Sequence, residues 1–314
     1  MASRQAPEAV VVANATAGGG AQVPRLQAWV ADAEAVDLCT THTLKEARAC
    51  VRAHWERGVR RFVAAGGDGT VHCLLNALHA VGPLSSLEAL GIVPVGTGND
   101  LARTLCLPES LPEALDMAVY GPAHPVDVID VVMGDARVLA LNVCAGGFGG
   151  YIDKVVSGDP KSLLGPFAYV MGAARVLPRL RRYDTTLTLD GVPVRTDPLL
   201  NVVVANAQYA AGGLHVAPGA DPCDGLLDVV TVRAGRAGAV AGVIAQVLGG
   251  DYTTHPLVDH YRARQVHIEA APPMWFNADG ELLSNEPVTF TVRPRRLPVA
   301  RPPEVEGEAM ARDM

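Results

Sequence analysis

Within its first 120 residues the chain repeats one pattern: a short apolar run, a loop rich in small residues, then a segment of helical periodicity. EAVVVAN (8–14), AVDLCT (35–40), VRRFVAA (59–65) and LGIVPV (90–95) read as buried strands. Helices are expected from about Pro24, over LKEARACVRAHWERG (44–58) with Gly58 as its stop, and over TVHCLLNALHAV (70–81). GTGND then leads into LARTL and the helical LPEALDMAVYG. Strands separated by helices require crossovers, and hence a parallel sheet.

Three glycine-rich loops leave the carboxyl ends of these strands: NATAGGGA after the first, GGDGT after the third and GTGND after the fourth. That edge of an open α/β sheet is where ligands bind. Bare N–H groups ahead of a helix make an anion site there. Any one loop could be a structural turn, whereas three on one edge point to phosphate. The only lysines are Lys45, Lys154 and Lys161, and no G-x-x-x-x-G-K-[ST] loop occurs, which excludes a Walker-type NTPase. Backbone amides are left to hold the phosphate. Asp68 in GGDGT would repel it, so this carboxylate implies either Mg²⁺ or a hydrogen bond that organises the loop.

After Gly121 the texture becomes strand-like, as in PVDVIDVVM, RVLALNVCAGG, TTLTLDGVPVRT, PLLNVVVANAQ and EPVTFTVRP, with Asp190-Gly191 as a hairpin turn. This half reads as a β-sandwich or barrel with helical insertions near 165–177 and 237–248. The expected division is an α/β domain over 8–122, a β-rich domain over 123–300 and a frayed tail over 301–314, with a crevice between the domains. A formal charge of −7 argues against nucleic-acid binding, and RLRRY (179–183) and RPRR (293–296) are read as solvated ends. The six cysteines lack metal-ligand spacing and are read as buried free thiols of a reducing cytoplasm. Neither a signal-peptide pattern nor an apolar run of about 18 residues occurs, so a cytoplasmic protein peripheral to the membrane is expected.

GGDGT followed by VHCLLNAL, then GIVPVGTGNDLAR (91–103), resembles the diacylglycerol kinase catalytic-domain family, which includes bacterial lipid kinases and sphingosine kinases. NAD kinases and phosphofructokinases share a turn like GGDG, but the second motif narrows the choice. Matches continue through LNVCAGGFGG (141–150), PKSLLGPFAYVMGAARVLP (160–178), GADPCDGLLDVV (219–230), GDYTTHP (250–256) and FNADGE (276–281), spanning residues 8–300. The resemblance implies an NAD-kinase/phosphofructokinase-like α/β domain, a parallel sheet with helices on both faces, followed by a β-rich sandwich. It implies an ATP- and Mg²⁺-dependent kinase that phosphorylates the hydroxyl of diacylglycerol, presented at a membrane surface, to give phosphatidic acid and ADP. A homodimer is one assembly it allows. The alternatives are a same-fold kinase acting on a sphingoid base or NAD, and a nucleotide-binding regulator without catalysis.

Residue by residue, the resemblance implies a first nucleotide loop over Asn14, Ala15, Thr16, Ala17 and Gly18, with Ala15 in place of the family's proline. It implies a phosphate loop over Gly66, Gly67, Asp68, Gly69 and Thr70, and nucleotide contacts at Thr97 and Asn99. Asp100 would belong to a Mg²⁺-linked polar network. Thr41, or its neighbour Thr40, matches a threonine near the adenosine. Asp221 and Asp224 lie three apart, with the carbonyl of Leu226 free to join them. The residues alone suit a solvated acidic turn equally well, and the resemblance favours a structural Mg²⁺. Transfer to a hydroxyl needs a base near the attacking oxygen. The bare DG of NADGE reads as a hairpin turn, whereas the resemblance makes Glu281 the first and Asp279 the second candidate base. Lys161 matches a lysine placed to meet a lipid phosphate or an anionic membrane.

Overall fold

The four apolar runs form Ala9–Asn14 (β1), Val36–Thr41 (β2), Arg61–Gly66 (β3) and Ala89–Pro94 (β4), all paired in parallel in the order β2-β1-β3-β4. The structure, a computed structural model, describes residues 7–15, 21–148, 180–194, 197–250 and 252–303. The helices of this half are Val23–Asp32 (α1), Leu44–Glu56 (α2), Asp68–Val81 (α3), Asp100–Thr104 (α4) and Leu111–Tyr120 (α5). The strands read as unbroken apolar runs because both sheet faces are covered. Val11, Val63 and Val93 pack against Leu26 of α1 and Leu115 of α5. The intervening Val10, Val12 and Phe62 are equally buried on the opposite face, where Trp55 of α2 stacks on Phe62. Past α2, Gly58 takes φ +93°, the left-handed stop expected of it.

The second half is β-rich. Its strands are Ala123–Met133 (β5), Ala136–Ala140 (β6), Val143–Gly147 (β7), Asp184–Leu189 (β8), Val192–Val194 (β9) and Leu199–Ala205 (β10). Tyr209–Ala210 (β11), Leu214–His215 (β12), Leu227–Arg233 (β13), Val258–Ala263 (β14), Gln265–Ala271 (β15), Phe276–Ala278 (β16), Glu281–Leu282 (β17) and Val288–Ala300 (β18) follow. The expected insertion near 237–248 is helix Ala237–Gly249 (α6), whereas the one near 165–177 lies outside the described residues. Six strands form a sheet in the order β14-β13-β10-β7-β16-β17, and β9-β8-β15 join β18 in another. Val202, Val204, Val229 and Phe276 of the first share one core with Leu187, Val266, Ile268 and Phe290 of the second. This is the expected sandwich. The outer face of the six-stranded sheet buries Val203, Val230 and Val232 against Val243 of α6 and Tyr252.

The chain divides into two compact units, residues up to Val126 together with those from Arg295 on, and Asp127–Pro294. Two strands, β5 and β18, run from one unit into the other. Val299 of β18 pairs in parallel with Leu90 of β4, so the α/β sheet takes its fifth strand from far along the sequence. Arg301 is buried and its amide donates to the Pro122 carbonyl at 3.1 Å. Among the described residues no helix is long and apolar enough to cross a membrane.

Two expectations are corrected. Cys39 and Cys50 are joined in a disulfide instead of being buried free thiols, and Cys106 is exposed. Packing of α2 on β2 brings their Cα atoms to 6.6 Å, within disulfide reach, although nothing in their spacing announces it. Cys144 does match the expectation: burial, with the Asp279 charge adding to it, pushes its thiol well above the usual range. The RPRR segment is not simply solvated either. Arg293 and Arg137 both grip Asp130 of β5, each with a contact of 2.6 Å.

Burial alone would raise the Asp130 carboxyl, but hydrogen bonds and charge from Arg137 and Arg293 outweigh it and hold the group below its ordinary value. A carboxyl lowered in the folded state stabilises above its unfolded range, and that contribution is lost as pH falls through the folded value. Asp130→Asn is therefore expected to lower unfolding free energy at neutral pH by about 1–3 kcal/mol. In urea titrations the gap between wild type and variant should close below about pH 4. A gap independent of pH would contradict this account.

Candidate active site

The glycine loops of the first unit gather at the carboxyl edge of its parallel sheet. Asn14 closes β1 beside Thr41 at the end of β2, and the Ala15 amide donates to the Thr41 carbonyl at 2.9 Å. Thr41 is buried and its hydroxyl donates to the Ala13 carbonyl at 3.2 Å, while Thr40 is exposed. Thr16, Ala17 and Gly18 lie outside the described residues.

The next two loops are built on each other. A Cβ on Gly96 would stand 2.3 Å from the Gly67 Cα, and one on Gly66 would stand 2.1 Å from the Thr70 hydroxyl oxygen. Neither Gly66, Gly67 nor Gly69 has positive φ. At Gly67 the missing side chain thus makes room for the Gly96 backbone and at Gly66 for the Thr70 side chain, with no left-handed turn involved. Asn99 does take φ +53°, and its side chain knits the GTGND loop: Nδ2 donates to the Pro94 and Gly96 carbonyls, and Oδ1 accepts from the Gly96 amide.

Asp68 resolves the alternative posed by its sequence. Its two carboxylate oxygens accept from the amides of Asp100 at 3.2 Å and Leu101 at 3.1 Å. The carboxylate therefore organises the loop by tying the head of α3 to the head of α4. Asp100 itself is buried, with Arg103 at 3.2 Å. Gly67 precedes α3 without a side-chain cap, and among the described residues nothing accepts from the amides of Asp68 or Gly69. Gly69 and Thr97 are exposed. Unfilled donors at a helix head, with its positive dipole end, suit an anion.

In the second unit, Asp279 and Gly280 form the tight turn between β16 and β17, at φ +50° and +84°. The hairpin reading of DG is correct, yet Asp279 does more. Its carboxylate accepts from the amides of Leu141, Asn142 and Val143 at 3.0, 2.9 and 3.2 Å. Asn206 holds the same bend, its Nδ2 donating to the carbonyls of Leu141 and Asp127. The Glu281 side chain, two residues on, is exposed, and its carboxylate has no hydrogen bond or ion pair to a described residue. One carboxylate is committed to the backbone, and the other stays available.

The Asp221–Leu226 loop has its own internal order. Asp221 accepts from the Cys223 amide at 3.0 Å, and Asp224 accepts from the Leu226 amide at 2.9 Å. Buried Asp127 accepts from the Gly225 amide at 2.6 Å. The second oxygen of Asp224 is bonded to Arg262, which also lies 3.8 Å from Asp228. Arg262 thus stands beside one oxygen of Asp224, while the carboxylates of Asp221 and Asp224 and the Leu226 carbonyl are the hard oxygen donors of this one loop. Arg262 escapes a sequence reading because it reaches the loop across strand pairing, opposite Asp228 in β14 and β13, and Asp127 because it lies 98 residues from Gly225 in the chain. Lys161 lies outside the described residues.

Two family models match the chain: the Diacylglycerol kinase catalytic domain over residues 8–131, and the YegS C-terminal NAD kinase beta sandwich-like domain over residues 143–301. The Diacylglycerol kinase of Bacillus subtilis (strain 168) is 30% identical over 270 residues, covering 84% of this chain and 86% of that one. The protein of the same name from Staphylococcus aureus (strain bovine RF122 / ET3-1) is 27% identical over 248 residues, 79% of this chain and 76% of that one. A solved structure from Bacillus anthracis (strain Sterne) superposes with a TM-score of 0.76 at 23% identity, over 96% of this chain and 99% of that one. It shares the fold.

The contact between Gly67 and Gly96 gives a direct test. Gly96→Ala is expected to force the loops apart and lower stability by about 1–3 kcal/mol in urea unfolding. Gly238→Ala, in α6 with open space around the added methyl, should be neutral or slightly stabilising. Equal effects at the two positions would reject the interlock.

Proposed function

Because the chain belongs to the diacylglycerol kinase family, and so to the kinases, we propose that it transfers the γ-phosphoryl group of ATP, taken as its Mg²⁺ complex, to the hydroxyl of a diacylglycerol. The acceptor is met at a membrane surface by a peripheral, cytoplasmic protein, and the products are phosphatidic acid and ADP. The reading is carried by one observation: the amides at the head of α3 are left open while the side chains around them hold the loops. Those amides, with the exposed backbone near Thr97, take the triphosphate, and Asn14 with Thr41 or Thr40 lies towards the adenosine.

Glu281 acts as the general base. It takes the proton of the acceptor hydroxyl as the acceptor oxygen bonds to the γ-phosphorus and the bond from that phosphorus to the ADP oxygen breaks. Support for choosing Glu281 over Asp279 is the contrast in their bonding, since three backbone amides already occupy Asp279. Asp279 then acts as a positioning residue that holds the 141–143 bend and the turn leading into Glu281.

Radiolabelled ATP offered with diacylglycerol, a sphingoid base and NAD in parallel should label only the first, as phosphatidic acid. Glu281→Gln should lower kcat on the order of 10²–10⁴-fold and leave nucleotide binding and the melting temperature unchanged. Asp279→Asn should lower both kcat and the melting temperature. Label in another acceptor would replace the substrate assignment, and full activity in Glu281→Gln would remove the base.

A further inference from the structure

We propose that Cys39, Cys50 and His54 form a binding site for a zinc-class divalent cation, available when the two cysteines are thiols and closed when they are joined. Among the described residues these three are the group of His, Cys, Asp or Glu side chains whose ligand atoms converge, all within 4.8 Å of one another. Thiolate sulfur and imidazole nitrogen are the donors that Zn²⁺ prefers over hard cations.

The placement follows from the fold. Cys39 lies on β2, and Cys50 and His54 lie four residues apart on α2, hence on one helical face. The Cys50 sulfur is 3.6 Å from His54 Nδ1. The other ring nitrogen, Nε2, lies 3.1 Å from the Asp37 carboxylate, which Arg57 also contacts at 3.1 Å. Since a carboxylate only accepts, the Asp37 contact fixes a proton on Nε2 and sets the plane of the ring, with Nδ1 on the side of the sulfurs. That carboxylate–imidazole pairing is how metal-bound histidines are commonly oriented. In the disulfide form Nδ1 also lies 2.9 Å from the Cys50 carbonyl oxygen, which likewise only accepts, so metal binding replaces the proton that Nδ1 donates there.

The two cysteine Cα atoms stand 6.6 Å apart, near the wide end of what a disulfide tolerates. Side-chain rotation is therefore enough to separate the sulfurs to about 3.8 Å, the spacing of two thiolates around one tetrahedral Zn²⁺. Both cysteines are only half-buried, which leaves solvent to fill the fourth position. Opening the site requires a dithiol reductant: its two thiols become a disulfide as the Cys39–Cys50 bond takes up two electrons and two protons. Metal binding then releases the thiol protons. None of this rests on the kinase reading.

The full-length protein, reduced with a dithiol and freed of reductant and metal without air, is titrated with Zn²⁺ against a chromophoric chelator. Co²⁺ serves as a second probe, read by its thiolate charge-transfer absorption. One equivalent per chain is expected, lost in Cys39→Ser and in Cys50→Ser and weakened at least tenfold in His54→Ala. Asp37→Asn, at a half-exposed position that spares folding, should weaken binding about 10–100-fold. Protein oxidised to the disulfide should bind none. Absence of binding by the reduced, folded wild type overturns the proposal. Binding that survives both serine substitutions, and so belongs to other cysteines, or that Asp37→Asn leaves unchanged, overturns it equally.

Discussion

Two loops can press Cα against Cα along the side-chain direction only where that side chain is missing, and the contact between Gly67 and Gly96 is such a place. Around it the Asp68 carboxylate reaches over to the first amides of α4, while Asn99 folds its own loop upon itself. The Asn99 bonds are local and the Asp68 bonds are not, and together they make one surface from two loops that arise at the ends of different strands. An anion-binding edge of this kind has little side-chain chemistry to lose. Its capacity resides in amide groups that the surrounding network leaves unspent, which is why the network must be rigid.

The second unit applies the same logic with carboxylates. Asp279, Asp127 and Asn206 bond backbone amides and carbonyls at positions remote in sequence, drawing the 141–143 bend, the Asp221–Leu226 loop and the β16–β17 turn into one polar cluster. The two carboxylates accept and the Asn206 amide donates, and each of these bonds pairs a backbone polar group of a loop or bend. Asp130 differs in using guanidinium groups instead, and these hold its carboxyl below the ordinary range.

Strand and helix positions in the α/β half were legible because buried parallel strands read as unbroken apolar runs and helices announce their stops, as at Gly58. The sandwich was legible through Asp190-Gly191 and Asp279-Gly280, since two-residue hairpins need left-handed φ. What escaped were interactions that exist only after strands pair. Arg262 meets Asp224 because β13 and β14 are in register, and Arg293 meets Asp130 through the pairing of β5 with β18. The Cys39–Cys50 link belongs with these, because it depends on how α2 rotates over β2. Asp68 stood between the two kinds: its sequence allowed a metal or a hydrogen bond, and only geometry could choose.

The return of β18 to the α/β sheet bears on how the molecule is made. The residues up to Val126 emerge from the ribosome before the second unit, yet their sheet lacks a strand until residues beyond Pro294 have been synthesised. Vectorial folding, in which each domain finishes before the next begins, is closed to this topology. The nascent α/β half must wait with the free side of β4 uncovered, a template for any passing strand, so shielding by a chaperone during translation would have most effect there.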